Sequence, residues 1–158
     1  MIQVILAEGD RAMEAAGAAI GRAMQARGVI YLQGDLGAGK TTLSRGLIRA
    51  QGHAGAVKSP TFTLVEPYEL NGRAIYHFDL YRLLDPEELE FLGIRDYFSA
   101  DSLCLVEWPE KGAGVLPSPD MTITITATET GRRLVVEGHN AHGQTACRQL
   151  QTQDDAQT

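Results

Sequence analysis

The chain has 158 residues, 44% hydrophobic and 22% charged, the balance of one ordinary globular domain able to bury its own core. Its 20 acidic against 14 basic side chains leave a net charge of −6, which excludes a broad tRNA- or DNA-binding face of clustered cations but not service to nucleic acid through a partner. Cys104 and Cys147 form neither a zinc motif nor a disulfide framework, and no apolar run approaches the roughly 18 residues of a membrane span. With Glu8 and Asp10 where a leader would be basic and apolar, the expectation is a cytoplasmic protein without a signal peptide.

In chain order, Ile2 to Leu6 reads as a short strand. Asp10 is placed to cap a helix in which Met13, Gly17, Ile20 and Met24 recur at helical spacing, with Gly28 as its stop. Val29-Ile30-Tyr31-Leu32 is a continuous apolar run of the kind a central parallel strand shows. A glycine-rich loop follows, then a helix from about Lys40 to Gln51 that buries Leu43, Leu47 and Ile48. Beyond a polar loop, Asn71-Gly72 separates two strand-like runs, 63–70 and 73–80, and predicts an antiparallel hairpin with a type I′ turn.

Asp85-Pro86-Glu87-Glu88 reads as a capping box that opens a short helix ending near Gly93. Leu103 to Val106 is a second continuous apolar run and so a second central strand, in which Cys104 is a small buried hydrophobe. Met121 to Thr128 and Arg132 to Gly138, joined through Gly131, predict a C-terminal hairpin. Residues 1–150 are expected to form one domain, and the polar residues 151–158 a frayed, disordered tail.

The loop between the first central strand and its helix, Gly34-Asp35-Leu36-Gly37-Ala38-Gly39-Lys40-Thr41, matches the Walker A pattern in full. Glycines let backbone N–H groups turn inward around a β-phosphate, and the helix that follows aims its N-terminus at the same anion. Lys40 is the residue to reach the β- and γ-phosphates, and the Thr41 hydroxyl the one to ligate Mg²⁺. The pattern predicts ATP bound with Mg²⁺. GTP is disfavoured because the guanine-selecting Asn/Thr-Lys-x-Asp signature is absent after Glu107.

Such a site needs an acid at the end of a neighbouring strand, and two qualify. Asp79 stands after the hairpin, where the order of small GTPases puts the metal acid. Glu107 closes the more buried strand. Strand character favours Glu107 for the metal and Asp79 for the attacking water. Ser59, Thr61 and Thr63 lie in the loop where nucleotide switches bring a hydroxyl to the γ-phosphate, with a plain Ser-Pro turn as the equal alternative. Trp108, the one tryptophan, is expected beside the nucleotide, its fluorescence a reporter of ATP. His53 and His77 have no partner at metal-ligand spacing and read as a surface and a strand residue.

Four blocks taken together, Gly34 to Thr42, Ser59-Pro60-Thr61-Phe62-Thr63-Leu64-Val65, His77-Phe78-Asp79-Leu80-Tyr81-Arg82 and Glu107-Trp108-Pro109-Glu110, resemble the bacterial TsaE (YjeE) family over about residues 1–140. The resemblance implies an α/β, three-layer P-loop NTPase fold with a mixed, mainly parallel central sheet and antiparallel hairpins. It implies an ATPase, weak alone, that acts with TsaB and TsaD. Their joint product would be threonylcarbamoyladenosine (t6A) at position 37 of tRNAs reading ANN codons, with tRNA met only indirectly and neither DNA nor membrane a partner.

By the same resemblance Gly34, Asp35, Leu36, Gly37, Ala38, Gly39, Lys40, Thr41 and Thr42 bind nucleotide. Trp108 and Arg132 adjoin it, Thr41 and Glu107 hold the metal, and Lys40, Asp79 and Glu107 serve hydrolysis. Many relatives have Thr where this chain has Met13, which leaves Asp10 as the polar candidate on the adenine side. Two other classes compete: a P-loop small-molecule kinase, for which Arg82 and Arg95 are the only nearby lid cations and no lid insertion is evident, and a nucleotide-dependent interaction module without turnover.

Overall fold

The computed structural model describes residues 1–60, 62–70 and 72–157, with side-chain surroundings through residue 150. Seven strands form one sheet in the order β1-β7-β6-β2-β5-β4-β3. They are β1 (Ile2–Ala7), β2 (Gly28–Gln33), β3 (Val65–Leu70), β4 (Arg73–Asp79), β5 (Ser102–Glu107), β6 (Met121–Ala127) and β7 (Arg132–Gly138). The central pairings β6-β2, β2-β5 and β5-β4 are parallel. The outer ones, β1-β7, β7-β6 and β4-β3, are antiparallel.

The two continuous apolar runs are neighbours at the centre, and every residue of β5 is buried. Three helices, α1 (Gly9–Ala23), α2 (Lys40–Ala50) and α4 (Ala141–Gln157), contribute to the larger core with Ile30, Leu32, Leu105, Ile123 and Val136 of the sheet. A smaller core on the other face gathers Phe78, Cys104 and Val106 with Leu89 of α3 (Glu87–Phe91) and Ile94 of a following 3-10 turn. The result is three layers.

Three local expectations are corrected. Asp10 makes no cap: Glu8 is the N-cap of α1 and has no capping side-chain bond, while Asp10 lies within the first turn, where its charge suits the helix dipole. Gly28 does not stop α1, which ends at Ala23. Gln25 and Ala26, both at positive φ, turn the chain, and Gly28 opens β2. Third, the residues after β7, for which the sequence reading gives no element, form α4. The Asn71 half of the hairpin turn lies outside the described residues, as does Thr61. The capping box is present: Glu88 Oε2 accepts from the backbone N–H of Leu84 and Asp85, and Asp85 Oδ1 accepts from that of Glu87.

Among the described residues no helix is long and apolar enough to cross a membrane.

Candidate nucleotide site

The loop from Gly34 to Gly39 leaves the C-terminal end of β2 and enters α2 at Lys40. Gly34, Gly37 and Gly39 all have positive φ, and Gly39, at φ 109°, is the N-cap of α2. A side chain at Gly34 would meet the Ile125 carbonyl oxygen at 2.8 Å, so both backbone angle and space demand glycine there.

Lys40 is buried, and its Nζ donates to the Gly34 carbonyl at 2.6 Å while lying 3.7 Å from the centre of the Trp108 ring. Burial lowers its pKa, opposed by the carboxylates of Glu107, Asp79, Glu110 and Asp35. Phosphate oxygens would give an ammonium so placed a charge-matched hydrogen-bond partner.

The β4-β5 register sets Asp79 directly beside Glu107. A cavity of about 280 Å³ joins them to Leu36, Gly37, Gly39, Lys40, Thr41, Thr42, Ser59 and Trp108. Burial raises the pKa of Asp79, offset in part by the Tyr81 N–H bonded to its Oδ1 at 3.0 Å. Glu107 is buried, and its Oε2 lies 2.5 Å from Nε2 of His77. Trp108, at φ 58°, leaves the strand in the left-handed region and turns its ring over Lys40, 5.0 Å from the Tyr81 ring.

A second cavity, about 380 Å³, shares Gly37, Gly39 and Thr42 with the first and is otherwise lined by Gly9, Asp10, Met13, Thr128, Glu129, Thr130, Gly131 and Arg132. Arg132 ties it to the loop: Nε donates to the Ala38 carbonyl at 2.9 Å and Nη2 to that of Gly37 at 3.4 Å. The adenine-side candidates Asp10 and Met13 both line this cavity. A larger hollow of about 600 Å³ lies away from the loop, around Arg22, Gln25, Gln51 and Arg73, and has no carboxylate in its lining.

The donor set fits Mg²⁺. A hydroxyl and two carboxylates are hard oxygen ligands, and among the described residues no cluster of three or more His, Cys, Asp or Glu could hold a metal alone. That suits an ion that takes one or two carboxylates and completes its shell with phosphates and water.

Of the predicted phosphate-loop residues, Leu36, Gly37, Gly39, Lys40, Thr41 and Thr42 thus converge with Asp79, Glu107 and Trp108, whereas Gly34, Asp35 and Ala38 are not in the lining. Ser59 joins them, whereas the Thr63 hydroxyl donates instead to Glu66 Oε1 at 3.1 Å. His77, read from the sequence as a strand residue, lies in β4, and two-residue periodicity puts it on the same face as Asp79.

A glycine loop that leaves the C-terminal end of a central parallel strand and opens onto a helix defines a P-loop NTPase fold. YdiB from Bacillus subtilis, a solved structure, superposes with a TM-score of 0.81 at 27% identity over 98% of this chain and 97% of its own. The family of threonylcarbamoyl adenosine biosynthesis protein TsaE matches residues 7–135, and the chain belongs to it. The tRNA threonylcarbamoyladenosine biosynthesis protein TsaE of Haemophilus influenzae is 61% identical over 106 residues, 67% of each chain. The protein of the same description from Bacillus subtilis is 36% identical over 128 residues, 80% of each. The family places the chain in t6A biosynthesis.

Proposed function

We propose that this chain is the ATP-binding and ATP-hydrolysing subunit that supports t6A formation at position 37 of tRNAs reading ANN codons, in concert with TsaB and TsaD in the cytoplasm. The observation that carries the reading is the buried Lys40 ammonium at the mouth of α2, set in one cavity with Thr41, Asp79 and Glu107. Loop N–H groups and Lys40 bind the β- and γ-phosphates. Arg132 steadies the loop through the Ala38 and Gly37 carbonyls.

Thr41 and Glu107 would hold Mg²⁺, which when bound neutralises charge on the phosphates. Asp79, whose proton affinity burial increases, orients the attacking water and draws on its proton. A net charge of −6 favours protein partners over direct contact with tRNA.

The test is phosphate release from Mg-ATP, alone and with TsaB and TsaD, together with the t6A content of tRNA in cells carrying Lys40→Ala. Stimulated release and loss of t6A are expected. Unchanged t6A in the variant would overturn the reading. ADP formed alongside a phosphorylated metabolite would make the chain a kinase, and binding without turnover in the presence of both partners would make it an interaction module.

A further inference from the structure

His77 and Glu107 sit on adjacent strands. The parallel register sets His77 beside Leu105 and Asp79 beside Glu107, so His77 and Glu107 are diagonal neighbours on one face of the sheet. His77 is fully buried and Glu107 is 2% exposed. A carboxylate that is to bind a metal only accepts hydrogen bonds, so the 2.5 Å contact is assigned with Nε2 as donor and Oε2 as acceptor. Among the described residues Oε1 of Glu107 accepts no hydrogen bond, and Glu107 lines the phosphate-loop cavity.

The other ring nitrogen carries the argument. Nδ1 of His77 is the one buried side-chain nitrogen or oxygen among the described residues that has no hydrogen-bond partner. Leaving such a group unpaired costs stability, because burial has stripped it of water without returning a partner. A histidine kept for packing would have both nitrogens satisfied, and apolar residues in place of a buried polar pair are often neutral or stabilising. The arrangement sacrifices one nitrogen so that the other can hold Glu107. Lys40 supplies the alternative: Glu107 is the carboxylate whose charge acts on it most strongly. A Glu107 released from His77 would turn toward that ammonium and occupy the charge the phosphates need.

We propose that His77 is a positioning residue, its Nε2–H fixing Oε2 of Glu107 so that Oε1 is presented to the metal and the carboxylate is held off Lys40. This rests on the reading of Glu107 as a metal ligand. Outer partners of metal ligands typically matter by roughly ten- to hundredfold in metal affinity.

The test is ATP binding to the full chain, followed by calorimetry across a Mg²⁺ titration, with melting temperature recorded for each variant. Gln can return an N–H to the position of Nε2. Asn, one methylene shorter, cannot reach it, and Leu has no donor. His77→Leu and His77→Asn should raise the Mg²⁺ concentration at half-effect roughly ten- to hundredfold. Their affinity for ADP without Mg²⁺ should fall less, and His77→Gln should recover most of the Mg²⁺ response. If His77→Leu does not fold, the Gln and Asn pair decides. Equal Mg²⁺ responses in Gln, Asn and wild type would overturn the role of His77 and leave the function standing. A wild type whose ATP binding ignores Mg²⁺ would overturn both.

Discussion

The Lys40 ammonium rests 3.7 Å from the centre of the Trp108 ring. Phosphate oxygens would draw the ammonium away from an attraction of about 0.5–2 kcal/mol. Trp108 is the sole tryptophan, so its emission should change on adding Mg-ATP, measured by a fluorescence titration. Lys40→Ala should weaken binding by about 1.5–3 kcal/mol, which moves the midpoint of the titration to roughly ten- to a hundredfold higher Mg-ATP.

The same lysine sets a pH dependence. Burial holds its pKa below the ordinary 10.5 in the free protein, and bound phosphates favour the ammonium form and raise it again. In the window between those two values, binding therefore takes up a proton and ATP affinity falls as pH rises. Below the free-state pKa the lysine is charged in both states and contributes no slope. Calorimetry in two buffers of different ionisation enthalpy should detect the uptake in wild type and none in Lys40→Ala.

What was legible in the sequence follows from how locally each feature is encoded. The phosphate loop, both central strands and both hairpins announce themselves through glycine spacing, continuous apolar runs and turn residues. Helix α4 escaped because its sequence is polar and weakly amphipathic. Its signals were Asn140, whose Oδ1 accepts from the Gly143 N–H at 3.0 Å, and the buried trio Ala146, Cys147 and Leu150. The His77 bond to Glu107 crosses from one strand to another 30 residues on, and only the β4-β5 register reveals it. The end of α1 was misplaced because Gln25 and Ala26 adopt positive φ, which residue type alone does not favour.

Arg132 joins the second strand of the C-terminal hairpin to the phosphate loop, 94 residues away. Arg132→Ala leaves the carbonyls of Ala38 and Gly37 without that guanidinium, and the loop loses pre-organisation worth about 1–3 kcal/mol. ATP affinity should drop roughly tenfold, with a smaller change in melting temperature. Arg132→Lys should recover little, because a single ammonium cannot reproduce the planar fork. Isothermal titration of the three proteins with ATP tests this ordering.

Asp79 carries a cost in stability. Its folded-state pKa lies above the ordinary 3.8 because the carboxylate is buried. A carboxylate of raised pKa favours the fold most below its unfolded value, and that contribution is lost as pH climbs through the folded value. At neutral pH the buried charge therefore weighs against the fold. Asp79→Asn keeps an oxygen for the Tyr81 N–H and cannot ionise. It should raise stability at pH 7 by about 0.5–2 kcal/mol. Denaturant melts from pH 4 to 7 should show a flatter profile than wild type, while ATP hydrolysis drops roughly 10²–10⁴-fold.

Helices α1 and α2 pack through two glycines. A methyl at Gly17 would lie 2.0 Å from the Leu43 carbonyl oxygen, and one at Gly46 would lie 2.1 Å from that of Glu14. Neither position has positive φ, so the constraint is space and not backbone conformation. Alanine favours a helix interior over glycine by about 1 kcal/mol, so a local view predicts that Gly46→Ala stabilises. The packing term wins, because the obstructing atoms are backbone and the helices must part. Overpacking typically costs about 1–3 kcal/mol, and a net loss near ~2 kcal/mol lowers the melting point of a domain this size by roughly 4–8 °C. Because α2 begins at Lys40, its displacement moves the phosphate loop as well, and ATP affinity should fall together with stability. Gly55→Ala is the control: its new methyl would meet only the His53 ring, at an ordinary contact distance of 3.4 Å, and calorimetry should record no loss of either quantity.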